Sequence, residues 1–71
     1  MPDSTYKVIT VVGSSPKSWE DAARLAVETA GKSLRDLRIA EIEELDMALE
    51  KGKIRAYRAK VRISFKYEGG P

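Results

Sequence analysis

Residues 55–67 read Arg-Ala-Tyr-Arg-Ala-Lys-Val-Arg-Ile-Ser-Phe-Lys-Tyr, and their side chains alternate in character with a period of two. Tyr57, Ala59, Val61, Ile63, Phe65 and Tyr67 fall on one face, and Ala56, Arg58, Lys60, Arg62, Ser64 and Lys66 on the other. This is the pattern of a half-buried β-strand. A strand of that length needs a partner, and a chain of 71 residues offers few.

The nearest candidate lies just upstream. Residues 36–51 are rich in Ala, Glu, Leu and Met, and propensity alone reads them as helix. Pairing favours strand. With Lys51-Gly52 as a two-residue hairpin turn, Glu50 faces Lys53, Glu43 faces Lys60, Ile42 faces Val61, Glu41 faces Arg62 and Ala40 faces Ile63. Every pair is chemically matched. Opposed charges across a sheet contribute roughly 0.2 to 1 kcal/mol each, and a slip of one residue would set charges against Val61 and Ile63. Residues 38–49 are therefore expected to be a strand.

Further upstream, Tyr6 to Val12 alternates polar and β-branched residues as a first strand would, and Gly13-Ser14-Ser15-Pro16 reads as the turn that ends it. Ser18 is placed as a helix N-cap whose hydroxyl accepts from the Asp21 N–H, with Glu20 and Asp21 at the positive end of the helix dipole. Trp19, Ala22, Ala23, Ala26, Val27, Ala30 and Leu34 then recur at helical spacing, predicting a helix to about Leu34 with a narrow, alanine-rich buried stripe. Gly31 either weakens the last turn or serves a contact between subunits. The order is β-α-β-β, an α+β fold in a single domain spanning 1–71 with a three-stranded antiparallel sheet against one helix.

A chain this short buries only about 60% of its unfolded surface, so its core is marginal alone. There is no Cys or His for disulfides or a zinc site, which leaves oligomerisation as the common remedy. Residues 1–4 lack a cationic leader and no apolar run is long enough to span a bilayer, so a soluble, cytoplasmic protein without membrane partners is expected. Thirteen basic against eleven acidic residues give +2, too balanced for a strong nucleic-acid binder. The basic and aromatic residues of 57–67 also fall on opposite faces and form no joint stacking platform. Ser14, Ser15 and Ser18 have no plausible base and nothing resembles a phosphate loop, so no enzyme is expected. The tail 68–71 is expected to fray.

Together these residues resemble the dodecin family. The likeness is carried by Tyr6-Lys7-Val8-Ile9 leading to Val12-Gly13-Ser14-Ser15-Pro16, by Ser18-Trp19 opening an Ala-rich helix, by Ala40-Glu41-Ile42 and by Tyr57 to Phe65. The resemblance implies a sheet wrapped around the helix and assembly as a hollow homododecamer. Flavin-binding dodecins stack riboflavin, FMN or FAD on a tryptophan of the second strand and hold its polar edge with a glutamine of the third. The matching positions are Ile39 and Arg58, which offer neither an aromatic face nor a neutral amide. Glu44-Leu45-Asp46-Met47 and Ser18-Trp19 are more similar to the branch described as calcium dodecins. Calcium takes six to eight oxygen ligands, and carboxylates at strand positions i and i+2 share a face. Glu44 and Asp46 are the candidate metal ligands, expected on the sheet's apolar face opposite Ala59 and Tyr57, where a cation would offset their charge. The alternative for both is a solvated edge or pairing with Arg35, Lys17 or a neighbouring chain. Arg58 with Glu43 and Arg62 with Glu41 are the expected ion pairs, and Trp19 and Tyr57 the expected structural anchors. The resemblance therefore implies a calcium-binding oligomer, with flavin sequestration or a ligand-free shell as alternatives.

Overall fold

In the computed structural model, residues 4–66 are described, and the chain runs β1 (Tyr6–Ser15), α1 (Trp19–Gly31), β2 (Leu37–Glu50) and β3 (Lys53–Lys66). The expectations for Tyr67, for the tail 68–71 and for residues 1–3 fall outside the described residues. The sheet has the order β1-β3-β2 with both pairings antiparallel. β3 is thus the central strand, which is why its sequence alternates so cleanly.

The helix starts as its sequence predicts. Ser18 is the N-cap in extended geometry, and its hydroxyl accepts from the Asp21 N–H at 3.0 Å. Its end falls three residues earlier than expected: Lys32 N–H bonds to Thr29 O at 3.2 Å and Ser33 N–H to Ala30 O at 3.2 Å, a tightened final turn after Gly31. Asp36, with φ of 57°, then reverses the chain into β2. The buried stripe is Ala22, Ala26 and Ala30, packed on Ala59, Val61 and Ile63 of β3. Leu34 still joins this core from beyond the helix.

β1 is longer than predicted. Gly13, Ser14 and Ser15 pair with Ala59, Arg58 and Tyr57 instead of turning, because β3 is long enough to accept them. The turn begins at Pro16, where Ser15 Oγ accepts from the Lys17 N–H at 3.0 Å and donates to Asp21 Oδ2 at 2.7 Å. Ser15 is buried, and these two bonds satisfy it.

The β2–β3 hairpin turns at Lys51-Gly52, with φ of 52° and 76°, the pair of positive values that suits the twist of a two-residue hairpin. Its register matches expectation at Glu50–Lys53, Ile42–Val61, Glu41–Arg62 and Ala40–Ile63. Between these it departs. A bulge between Ile42 and Glu44 leaves Glu43 as the extra residue, and a second irregularity between Ala48 and Leu49 restores the frame by leaving Arg55 extra on β3. Lys60 therefore opposes Glu44, not Glu43.

The protomer is elongated, measuring 53 × 20 × 16 Å with a radius of gyration of 14.7 Å, against about 11 Å for a compact chain of its length. The helix covers only part of the sheet. Ile42, Leu45, Met47, Leu49 and Ile54 are large apolar residues left exposed. The register puts them on the helix side of the hairpin, running past Trp19 towards the turn.

Candidate functional site

The sheet face turned away from the helix carries three parallel rows. β1 supplies Val8, Thr10, Val12 and Ser14, β3 supplies Ser64, Arg62, Lys60 and Arg58, and β2 supplies Ile39, Glu41, Glu44 and Asp46. A basic row thus lies beside an acidic one. Here the bulge at Glu43 corrects the reading of the metal candidates. Inserting one residue moves every later side chain to the opposite face. Glu44 and Asp46 consequently face Lys60 and Arg58, not Ala59 and Tyr57, and it is Leu45 and Met47 that oppose Ala59 and Tyr57. The two carboxylates share a face, as their i, i+2 spacing requires, but it is the basic face.

Asp46 is held at both ends. Arg58 Nε donates to Oδ1 at 2.7 Å and Nη2 donates to Oδ2 at 2.9 Å, a bidentate fork. The same bonds hold the Asp46 carboxyl below its ordinary pKa and raise that of Arg58. The expected pair of Arg58 with Glu43 is thereby replaced: the bulge brings Asp46 into line with Arg58 and sends Glu43 towards Arg62. Arg62 stands 3.8 Å from both Glu41 and Glu43, so the expected Arg62–Glu41 pairing is present as a Coulombic contact, with Glu43 as a second partner. At its backbone, Asp46 O accepts from Trp19 Nε1 at 2.9 Å. The Trp19 ring meets Tyr57 edge-on, with centroids 5.1 Å apart and planes at 72°. Trp19 and Tyr57 therefore anchor the start of α1 to the edge strand at Asp46.

Ile39 and Arg58 do not meet in one protomer. Ile39 opposes Ser64, six positions along β3 from Arg58, a separation of roughly 20 Å at the usual rise per residue. Ile39 is 66% exposed and lines a cavity with Tyr6, Arg38 and Ser64. A ligand touching both positions would have to draw them from different copies of the chain.

The donor chemistry suits a hard divalent cation. Carboxylate oxygens are the ligands calcium prefers, and no His or Cys is present to favour a softer metal. The number falls short within one protomer: among the described residues no group of three or more acidic side chains is placed to hold a metal. Glu44 and Asp46, the two residues expected to be ligands, would supply two carboxylates where six to eight oxygens are needed. The sequence carried a sign of this arrangement in Glu43-Glu44, since Ile42 and Leu45 lie three apart where strict alternation demands an even interval. The bond from Trp19 to a backbone carbonyl had no such sign.

A family model described as Dodecin matches residues 5–68. The calcium dodecin of Mycobacterium tuberculosis is 52% identical over 64 residues, which is 89% of each chain. Among solved structures, a dodecin from Streptomyces coelicolor superposes with a TM-score of 0.90 at 31% identity, covering 99% of this chain and 100% of that one. The crystal structure of the M. tuberculosis calcium dodecin, described as calcium chelating with a novel calcium-binding site, gives 0.83 at 48% identity over 96% of this chain and 97% of that one.

Proposed function

Because the chain belongs to the dodecin family, we propose that it is a cytoplasmic homododecameric binding and storage protein for calcium, not an enzyme, with Glu44 and Asp46 of each copy contributing ligands to sites completed by other copies. The observation that carries this reading is the 52% identity to a calcium dodecin. Three features of the chain support it. Glu44 and Asp46 project from one face of an edge strand, where oxygen donors from a second copy have access. Ile39 replaces the aromatic platform that a flavin ring would stack on, which favours a metal over a flavin. The uncovered apolar row and the elongated protomer call for burial by further copies.

A ligand that binds only the folded protein stabilises it by about 2.7 kcal/mol at a hundredfold excess over its dissociation constant. Calcium is therefore expected to raise the melting temperature of the wild type. The double variant Glu44→Ala/Asp46→Ala is expected to lose that rise while remaining the same assembly by native mass spectrometry. Full calcium stabilisation in the double variant would contradict this ligand set, and tight quenching of riboflavin fluorescence at micromolar protein would move the reading to flavin.

A further inference from the structure

The two edges of the sheet are built differently. β2 carries Arg38, Glu41, Glu43, Glu44, Asp46 and Glu50, it is bulged at Glu43, and Trp19 Nε1 caps the Asp46 carbonyl. Charges, bulges and covered main-chain groups are the devices that keep an edge strand from pairing with another chain. β1 has almost none of them. It pairs with β3 from Tyr6 to Ser15 without a register shift, and its one charged residue is Lys7. Among the described residues, no turn or side-chain hydrogen bond ends on the main chain of residues 6–14. Deepening the homo-oligomeric reading above, on which it rests, we propose that β1 is an assembly edge. It pairs antiparallel with β1 of a second copy, Thr10 opposite Thr10, and joins two three-stranded sheets into one.

The register follows from the strand's own sequence. About a twofold axis at Thr10, Val8 opposes Val12, Ile9 opposes Val11, Tyr6 opposes Ser14 and Lys7 opposes Gly13. β-Branched side chains then meet β-branched ones, and the exposed Val8 and Val12 cover each other. Moving each pairing by two residues would set Lys7 against Val11 or against the buried Ser15. Moving it by one would turn the second helix to the opposite face of the sheet and leave Leu25 uncovered. In the proposed register the lone charge is accommodated. Lys7 lies on the helix side, and Gly13 presents no side chain to meet it. A cavity of about 340 Å³ stands there, between Gly13 and Ser14 of β1 and Leu25, Ala26 and Thr29 of α1. The stem of the second copy's Lys7 has room in it, with Leu25 as an apolar wall. Glu28, one turn along α1 from Leu25 and bonded to Arg24, offers the ammonium a carboxylate.

The test is disulfide cross-linking, which the absence of any native cysteine makes specific. Directly opposed residues of an antiparallel pair have Cα atoms roughly 4.5 to 5.5 Å apart, within the reach of a disulfide. Thr10→Cys, treated with diamide at low protein concentration, is therefore expected to run mainly as a covalent dimer on a non-reducing denaturing gel. Val12→Cys is the control. In this register the two copies of position 12 lie four residues apart along the paired strands, roughly 13 Å, and no dimer is expected. Native mass spectrometry of wild type and of both reduced variants is expected to show one and the same assembly. Little dimer from Thr10→Cys, or as much from Val12→Cys, with the wild type a dodecamer, would overturn the β1 pairing alone. A monomeric wild type would overturn the homo-oligomeric reading together with it.

Discussion

Gly13→Ala is expected to lower the melting temperature by more than about 12 °C, because among the described glycines it is Gly13 whose added Cβ meets helix backbone. A Cβ at Gly13 would lie 2.0 Å from Ala22 O and 2.9 Å from the Ala26 Cβ. The first of these atoms is helix backbone and cannot rotate away. Relief requires the whole of α1 to lift from the sheet, separating Ala22 and Ala26 from Ala59 and Val61. Overpacking of this kind costs about 3 kcal/mol or more. For a domain of this size 1 kcal/mol corresponds to roughly 4 to 8 °C, and total stability is of the order of 4 to 10 kcal/mol. Thermal melting followed by circular dichroism, at one fixed protein concentration, measures the change. A melting point within a few degrees of wild type would mean that helix and sheet are not in the close contact described.

Leu45→Asp is expected to break the assembly while leaving the protomer's secondary structure in place. Leu45 is 48% exposed and sits with Ile42 and Met47 on the helix side of the edge strand. Beside it lies a cavity of about 170 Å³, walled by Trp19, Glu20, Ala23, Ile42 and Leu45. In a lone protomer an aspartate there would remain largely in water. If copies of the chain cover this row, the same aspartate is desolvated without a partner in every copy, a penalty on the order of several kcal/mol per subunit. Native mass spectrometry is expected to show smaller species for Leu45→Asp, with a circular dichroism spectrum retained at low temperature. An intact high-order assembly would show that the apolar row is not what the copies bury.

The extent to which the sequence disclosed this structure can be judged from β3 and β2. Central strand β3 is buried on its helix face and charged on the other, so period-two alternation runs through it and predicts strand, faces and partner. Ser18, Asp21 and the alanine stripe disclosed the helix for a similar reason, since each residue type follows from one local requirement. Edge strand β2 is exposed almost throughout, and nothing in its burial compels strict alternation. There the register was legible at Glu50–Lys53 and Leu49–Ile54 and again from Ile42 to Ala40, but not from Ala48 to Glu43, because a bulge alters the frame at little local cost. The candidate site lies in that interval. Glu44 and Asp46 were legible as a pair on one face, whereas the face itself and the Arg58 fork depended on the single extra residue at Glu43. Contacts from Trp19 to Asp46 and from Ser15 to Asp21 join residues through tertiary placement, which pairing rules do not encode.

Native mass spectrometry of the freshly purified wild-type protein, recorded with calcium and again after chelation, addresses subunit number and bound metal in a single experiment. The expected result is twelve subunits carrying extra mass in multiples of calcium that chelation removes. A monomer or dimer, or a dodecamer whose mass is the same with and without calcium, would contradict it.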